Sequence, residues 1–175
     1  VLDPVMISKS GFNLLSRDAK DTLVKELFPL AELITPNLPE AEEILGVEIK
    51  TVDEMKEAAI KLMELGPKAV LVKGGHLEDD ATDLLFDGKN FILLPQERLN
   101  TTHTHGTGCT LSSAIAANLA KGMTVEEAVK AGKKYITCAI EHGFELGKGV
   151  GPTNHFYELY KESGRYEEIT GEKDK

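Results

Sequence analysis

The chain has 175 residues, 41% of them hydrophobic, enough for one domain with a substantial core. With 29 acidic against 20 basic residues the net charge is -9, which argues against nucleic acid or an anionic membrane as a general partner, so any phosphate binding has to be local. Two widely separated cysteines without a CxxC fit a reducing compartment, and no apolar run approaches transmembrane length, so a cytoplasmic protein is expected.

Val1-Leu2-Asp3-Pro4-Val5-Met6 reads as a buried strand ending in a loop, with no initiator Met, signal peptide or transit segment, so the chain is expected to begin in mid-fold. Ser16 is an N-cap candidate for a helix over 17–28, with Ala19, Leu23, Val24 and Leu27 at helical spacing and Pro29 ending it. Glu32-Leu33-Ile34-Thr35 is a short strand opening onto Pro36-Asn37-Leu38-Pro39-Glu40, and a helix continues over 41–45 until Gly46 stops it. Thr51 with Glu54 makes a capping box for a helix to about Leu65, closed by Gly66-Pro67. Ala69-Val70-Leu71-Val72-Lys73 is an unalternating apolar strand of the kind that parallel sheets cover on both faces.

Residues 83–87 and 91–95 flank Gly88-Lys89-Asn90 as a hairpin at the sheet edge. A glycine loop then starts a long helix to about Lys121, and Thr124 with Glu127 caps a second one to about Glu145. Residues 147–152 form a flexible link, a last helix runs over about 154–163, and the charged tail 167–175 is expected to fray. This alternation predicts one α/β domain of three layers with a mostly parallel central sheet and an edge hairpin.

The functional signal is strongest at Thr104-His105-Gly106-Thr107-Gly108-Cys109-Thr110. Two glycines one residue apart, followed by an Ala-rich apolar segment, read as a tight loop feeding a helix N-terminus. Unpaired N–H groups and the positive end of the helix dipole make an anion site there, and glycine lets a phosphate approach the backbone. The same position stabilises a thiolate at Cys109, although a free cysteine is commonly just a small buried residue. No GxxxxGK[ST] occurs, which sets the P-loop class aside.

In open α/β sheets ligands bind beyond the carboxyl ends of the strands, and Asp3, Asn37, Glu40 and Lys73 all fall there. Each has a plain alternative or a specific demand. Asp3 before Pro4 caps a turn or orients Mg²⁺ waters; Asn37 with Glu40 starts a helix or faces Mg²⁺, which uses only one or two carboxylates beside nucleotide phosphates. Lys73 closes an apolar strand, where its ammonium needs an anion. His76, His103 and His105 lack the carboxylate or cysteine that would complete a zinc set, so a zinc site is not expected, and Cys138 between Ile136 and Ile140 reads as core.

Together these residues resemble the ribokinase-like superfamily, in particular the hydroxymethylpyrimidine and phosphomethylpyrimidine kinases of thiamine biosynthesis. The resemblance is carried by Asp3-Pro4-Val5-Met6 with Lys9-Ser10-Gly11, residues 34–42, Lys73-Gly74-Gly75-His76, residues 103–114, and residues 149–156. Related sugar kinases carry Asp where Cys109 stands, which points to the pyrimidine and pyridoxal-like branch. The resemblance implies ATP and Mg²⁺ as cofactors, Cys109 as general base for the hydroxymethyl group, and the backbone of Gly106, Thr107, Gly108 and Cys109 as anion hole. It further implies Asn37, Glu40 and Asp3 at the metal, and Asp3, Lys73, Asn37, Thr104 and Lys133 on the nucleotide side. The implied substrate is a small pyrimidine and the full-length protein a homodimer, with an N-terminal part of the fold absent from this chain. A pyridoxine or pyridoxal kinase, or a non-catalytic ligand-sensing fragment, are the competing readings.

Overall fold

Local capping chemistry sets several of the helix starts. In the computed structural model, which describes residues 1–7, 12, 14–75, 82–96, 99, 101, 104–144 and 149–171, Ser16 accepts the Ala19 N–H and opens α1 (Arg17–Thr22). The expected single helix over 17–28 does not persist: the chain passes into a π turn at Leu23–Leu27 and a 3-10 turn at Phe28–Leu30. Pro29 has no N–H to return to the preceding turn, so the regular ladder cannot continue through it. Reciprocal capping boxes open α2 (Leu38–Leu45) with Asn37 and Glu40, and α3 (Val52–Met63) with Thr51 and Glu54.

The sheet consists of β1 (Val70–Val72), β2 (Asp83–Phe86) and β3 (Phe91–Leu94) in that order. Both ladders are antiparallel, with Val70 opposite Phe86 and Phe86 opposite Phe91, so the expected hairpin is present. The mostly parallel sheet is not what the ladders display; parallel pairing occurs as single bridges, Leu2 to Ile34, Ile34 to Val70 and Asn37 to Lys73. An apolar run reports burial on two faces, and β1 is buried on both while pairing in opposite senses along its two edges.

Alternation along β1 and β2 splits the core in two. Val70, Val72, Leu84 and Phe86 pack with Phe28, Leu38, Met55 and Leu62 under α2 and α3. Leu71 and Leu85 point the other way, onto α4 (Thr107–Ala120) and α5 (Val125–Glu141) through Leu111, Ile115 and Val129. Thr124 and Glu127 form the predicted box for α5, which stops at Glu141. The last expected helix is shorter, α6 (Tyr157–Glu162). Part of the tail expected to fray forms α7 (Tyr166–Thr170), whose Tyr166 ring meets the Tyr157 ring edge-on at 5.2 Å. Among the described residues no helix is long and apolar enough to cross a membrane.

Candidate active site

The strand ends deliver the rim residues. Leu2 N–H donates to the Leu33 carbonyl and Leu2 bridges Ile34, so Asp3 emerges beside Thr35. The Lys73 N–H donates to the Pro36 carbonyl at 2.9 Å, which sets Lys73 beside Asn37. The Lys73 ammonium then donates to Asp3 Oδ1 at 2.9 Å, and the Thr35 hydroxyl donates to the same oxygen at 3.0 Å. The two charged side chains are only 16% and 11% exposed, so each offsets the other's desolvation.

The glycine loop lies against this pair. A Cβ built on Gly108 would stand 3.4 Å from Lys73 Nζ and 3.5 Å from Asp3 Oδ2. Gly106 takes the left-handed conformation at φ +79 and supplies no side-chain cap, and the Thr107, Gly108 and Cys109 N–H groups have no acceptor among the described residues. Thr110 donates both its N–H and its hydroxyl to the Gly106 carbonyl, while the Thr107 hydroxyl donates to the Thr104 carbonyl at 3.3 Å. His105 donates its N–H to the Gly151 carbonyl and bridges Pro152 in parallel, which ties the loop to the C-terminal segment. Cys109 is exposed and lines a groove of about 730 Å³ between α4 and α5, shared with Ser113, Ala117, Tyr135 and His155. The helix start therefore turns its Gly108 position to the ion pair and its Cys109 position to open space.

Glu40 is 2% exposed. Its Oε2 accepts the Asn37 N–H at 2.9 Å while Asn37 Oδ1 accepts the Glu40 N–H at 2.8 Å. Burial pushes the Glu40 carboxyl above its ordinary value; the Asn37 N–H and the Lys73 charge oppose the rise and the Asp3 charge adds to it. The helix-cap role of Asn37 and Glu40 is thus realised, and within electrostatic reach of the rim pair. Lys133 sits one step behind, its ammonium 2.6 Å from Asp83 Oδ2, and Asp83 Oδ1 accepts the Gly74 N–H at 2.8 Å.

Asp83 was not anticipated, although a carboxylate opening the apolar run Asp83-Leu84-Leu85-Phe86 is itself a signal that a buried charge has partners. Cys138 is half-buried rather than fully enclosed; burial pushes its thiol up, and its Sγ lies 3.9 Å from His142 Nδ1. Lys9, Ser10, Gly11, His76 and His103 lie outside the described residues. Among the described residues no three His, Cys, Asp or Glu side chains gather into a metal-binding group.

Helices on both faces of a small sheet, with an ion pair under a glycine-opened helix, define an α/β chain that matches ribokinase-like kinase structures. A Bacillus subtilis pyridoxal kinase solved as its ADP complex superposes with a TM-score of 0.78 at 45% identity, over 83% of this chain and 58% of that one. A Clostridium difficile phosphomethylpyrimidine kinase gives 0.68 at 51% identity, over 77% and 54%. The sequence pattern of the phosphomethylpyrimidine kinase family matches residues 1–154, and the chain belongs to that family. A hydroxymethylpyrimidine/phosphomethylpyrimidine kinase of Staphylococcus aureus is 48% identical over 165 residues, 93% of this chain and 60% of that protein. The chain thus spans about 60% of the length of such curated relatives.

Proposed function

We propose that this chain carries the nucleotide-binding and phosphoryl-transfer portion of an ATP- and Mg²⁺-dependent kinase acting on 4-amino-5-hydroxymethyl-2-methylpyrimidine and then on its monophosphate. The observation that carries the reading is the Asp3–Lys73 pair packed against Gly108 at the uncapped start of α4, three distant segments meeting where an anion is best received. In this reading the N–H groups of residues 106–109 receive the moving phosphoryl, Lys73 and Asp3 face the nucleotide phosphates, and Thr104 and Lys133 lie on the nucleotide side. Cys109, exposed at the groove, takes the proton of the acceptor hydroxymethyl group.

The donor set suits a hard cation. Glu40 is a carboxylate raised by burial and by the neighbouring Asp3 charge, a strain that a divalent ion relieves, and Asn37 and Asp3 complete an oxygen set of the right type. Bound Mg²⁺ supplies charge neutralisation between phosphate oxygens. The finer architecture belongs to the same reading: the single parallel bridges support a mostly parallel central sheet in a three-layer ribokinase-like fold. The reading also takes the full-length protein to be a cytoplasmic homodimer.

Identity of 45% to a pyridoxal kinase supports pyridoxal as a second acceptor. Phosphorus NMR with ATP, Mg²⁺ and either the hydroxymethylpyrimidine, its phosphate or pyridoxal tests both. The pyrimidine monophosphate and pyrophosphate are expected. Product from pyridoxal alone transfers the assignment to the second reading, and no product from any acceptor with the full-length protein overturns the kinase function.

A further inference from the structure

We infer that Asp83 is a positioning residue for the phosphate-facing rim, acting through Gly74 and Lys133; the inference rests on the kinase reading above. Asp83 opens a strand whose four residues are all buried, and a carboxylate in that setting needs a partner for each oxygen. Its partners come from different elements: Oδ1 holds the Gly74 N–H at 2.8 Å and Oδ2 holds the Lys133 ammonium of α5 at 2.6 Å. With the Lys133 and Asp83 side chains 14% and 8% exposed, this is not a screened surface pair.

Gly74 is pressed into place. A Cβ there would stand 1.8 Å from the Thr82 carbonyl oxygen, so only glycine lets the peptide after Lys73 lie against the start of β2. One carboxylate therefore locks the Lys73-Gly74 turn to α5. Because Lys73 holds Asp3 and borders Gly108, the orientation of the whole rim is set from behind by Asp83. Both Asp83 oxygens are engaged inside the protein, so it works by pre-organising groups that meet the phosphates rather than by meeting them itself.

Asp83→Asn keeps the shape and an acceptor for Gly74 but presents an amide N–H to the Lys133 ammonium. Isothermal titration of the chain with ADP and Mg²⁺, well below the thermal midpoint, is expected to give about ten-fold weaker binding. The Gly74 amide resonance is expected to move while far-UV circular dichroism stays unchanged. A purely structural role lowers the melting temperature and leaves the affinity of the folded chain alone. Affinity within about two-fold of wild type overturns the inference and leaves the kinase reading standing. A wild-type chain that binds no ADP overturns both. Where D83N does not fold, the wild-type chain decides: ADP is expected to slow hydrogen exchange at the Gly74 amide, and unchanged exchange at saturation overturns the inference.

Discussion

Replacing Lys73 by Met tests whether the rim is assembled before any ligand arrives. Met retains most of the lysine's length and apolar stem, but among the described residues the Asp3 carboxylate is left with only the Thr35 hydroxyl at 3.0 Å. At the observed 2.9 Å separation the gross attraction is about 6 kcal/mol for an effective dielectric near 20. Desolvation of two charges offsets most of that, and the residual exposure of 16% and 11% adds screening. We expect K73M to lose about 2–3 kcal/mol of unfolding free energy and D3N about 1–2 kcal/mol. The double variant should lose less than their sum by about 1 kcal/mol or more. Urea unfolding followed by circular dichroism supplies the three values, with the denaturant slope unchanged. Additivity within about 0.5 kcal/mol refutes the coupling, and with it the pre-assembled rim.

Three further outcomes are expected. Cys109→Ala should slow the first phosphorylation by about 100-fold or more and the second much less, because a phosphate acceptor needs no deprotonation; phosphorus NMR of each step checks this, and equal losses count against the base role. Burial holds the Glu40 carboxyl above its ordinary 4.5, so the folded chain binds that proton more tightly than the unfolded chain, and the stability Glu40 contributes falls as pH rises from 4.5 through the raised folded value. Glu40→Gln should therefore gain stability relative to wild type across that window, and a pH-independent difference in urea titrations contradicts it. Gly74→Ala should cost about 4 kcal/mol or more, its Cβ meeting the Thr82 carbonyl at 1.8 Å, whereas Gly106→Ala, with open space but φ +79, should cost about 1 kcal/mol; thermal melts that rank them the other way contradict the close approach.

Helix starts were legible because their chemistry spans four residues: Thr51 with Glu54 and Thr124 with Glu127 form boxes that need no tertiary partner. The convergence of Asp3, Lys73 and the glycine loop was legible for another reason, since the segments that carry Asp3 and Lys73 bridge Ile34 in parallel and the carboxyl ends of parallel segments share one rim. The sense of the β1–β2 pairing was not. The run 69–73 encodes two buried faces but not the sense of its neighbours, which is antiparallel toward β2 and parallel toward Ile34. Tyr166 escaped notice because charged neighbours dominate its segment, yet its ring is buried and meets Tyr157 edge-on. Asp83 was hidden by its own hairpin: a polar residue at a strand's first position looks like a turn, and only the distant Lys133 and Gly74 reveal what it holds.

The bond from the His105 N–H to the Gly151 carbonyl gives the glycine loop a meaning that its letters lack. Gly106-Thr107-Gly108-Cys109 grafted onto another helix would carry the spelling without the curvature, because the approach path is imposed by a segment far along the chain, with Pro152 bridged to the residue just before the first glycine. The portable unit is two strands of chain clasped side by side, and a search for relatives of this loop gains specificity by demanding both.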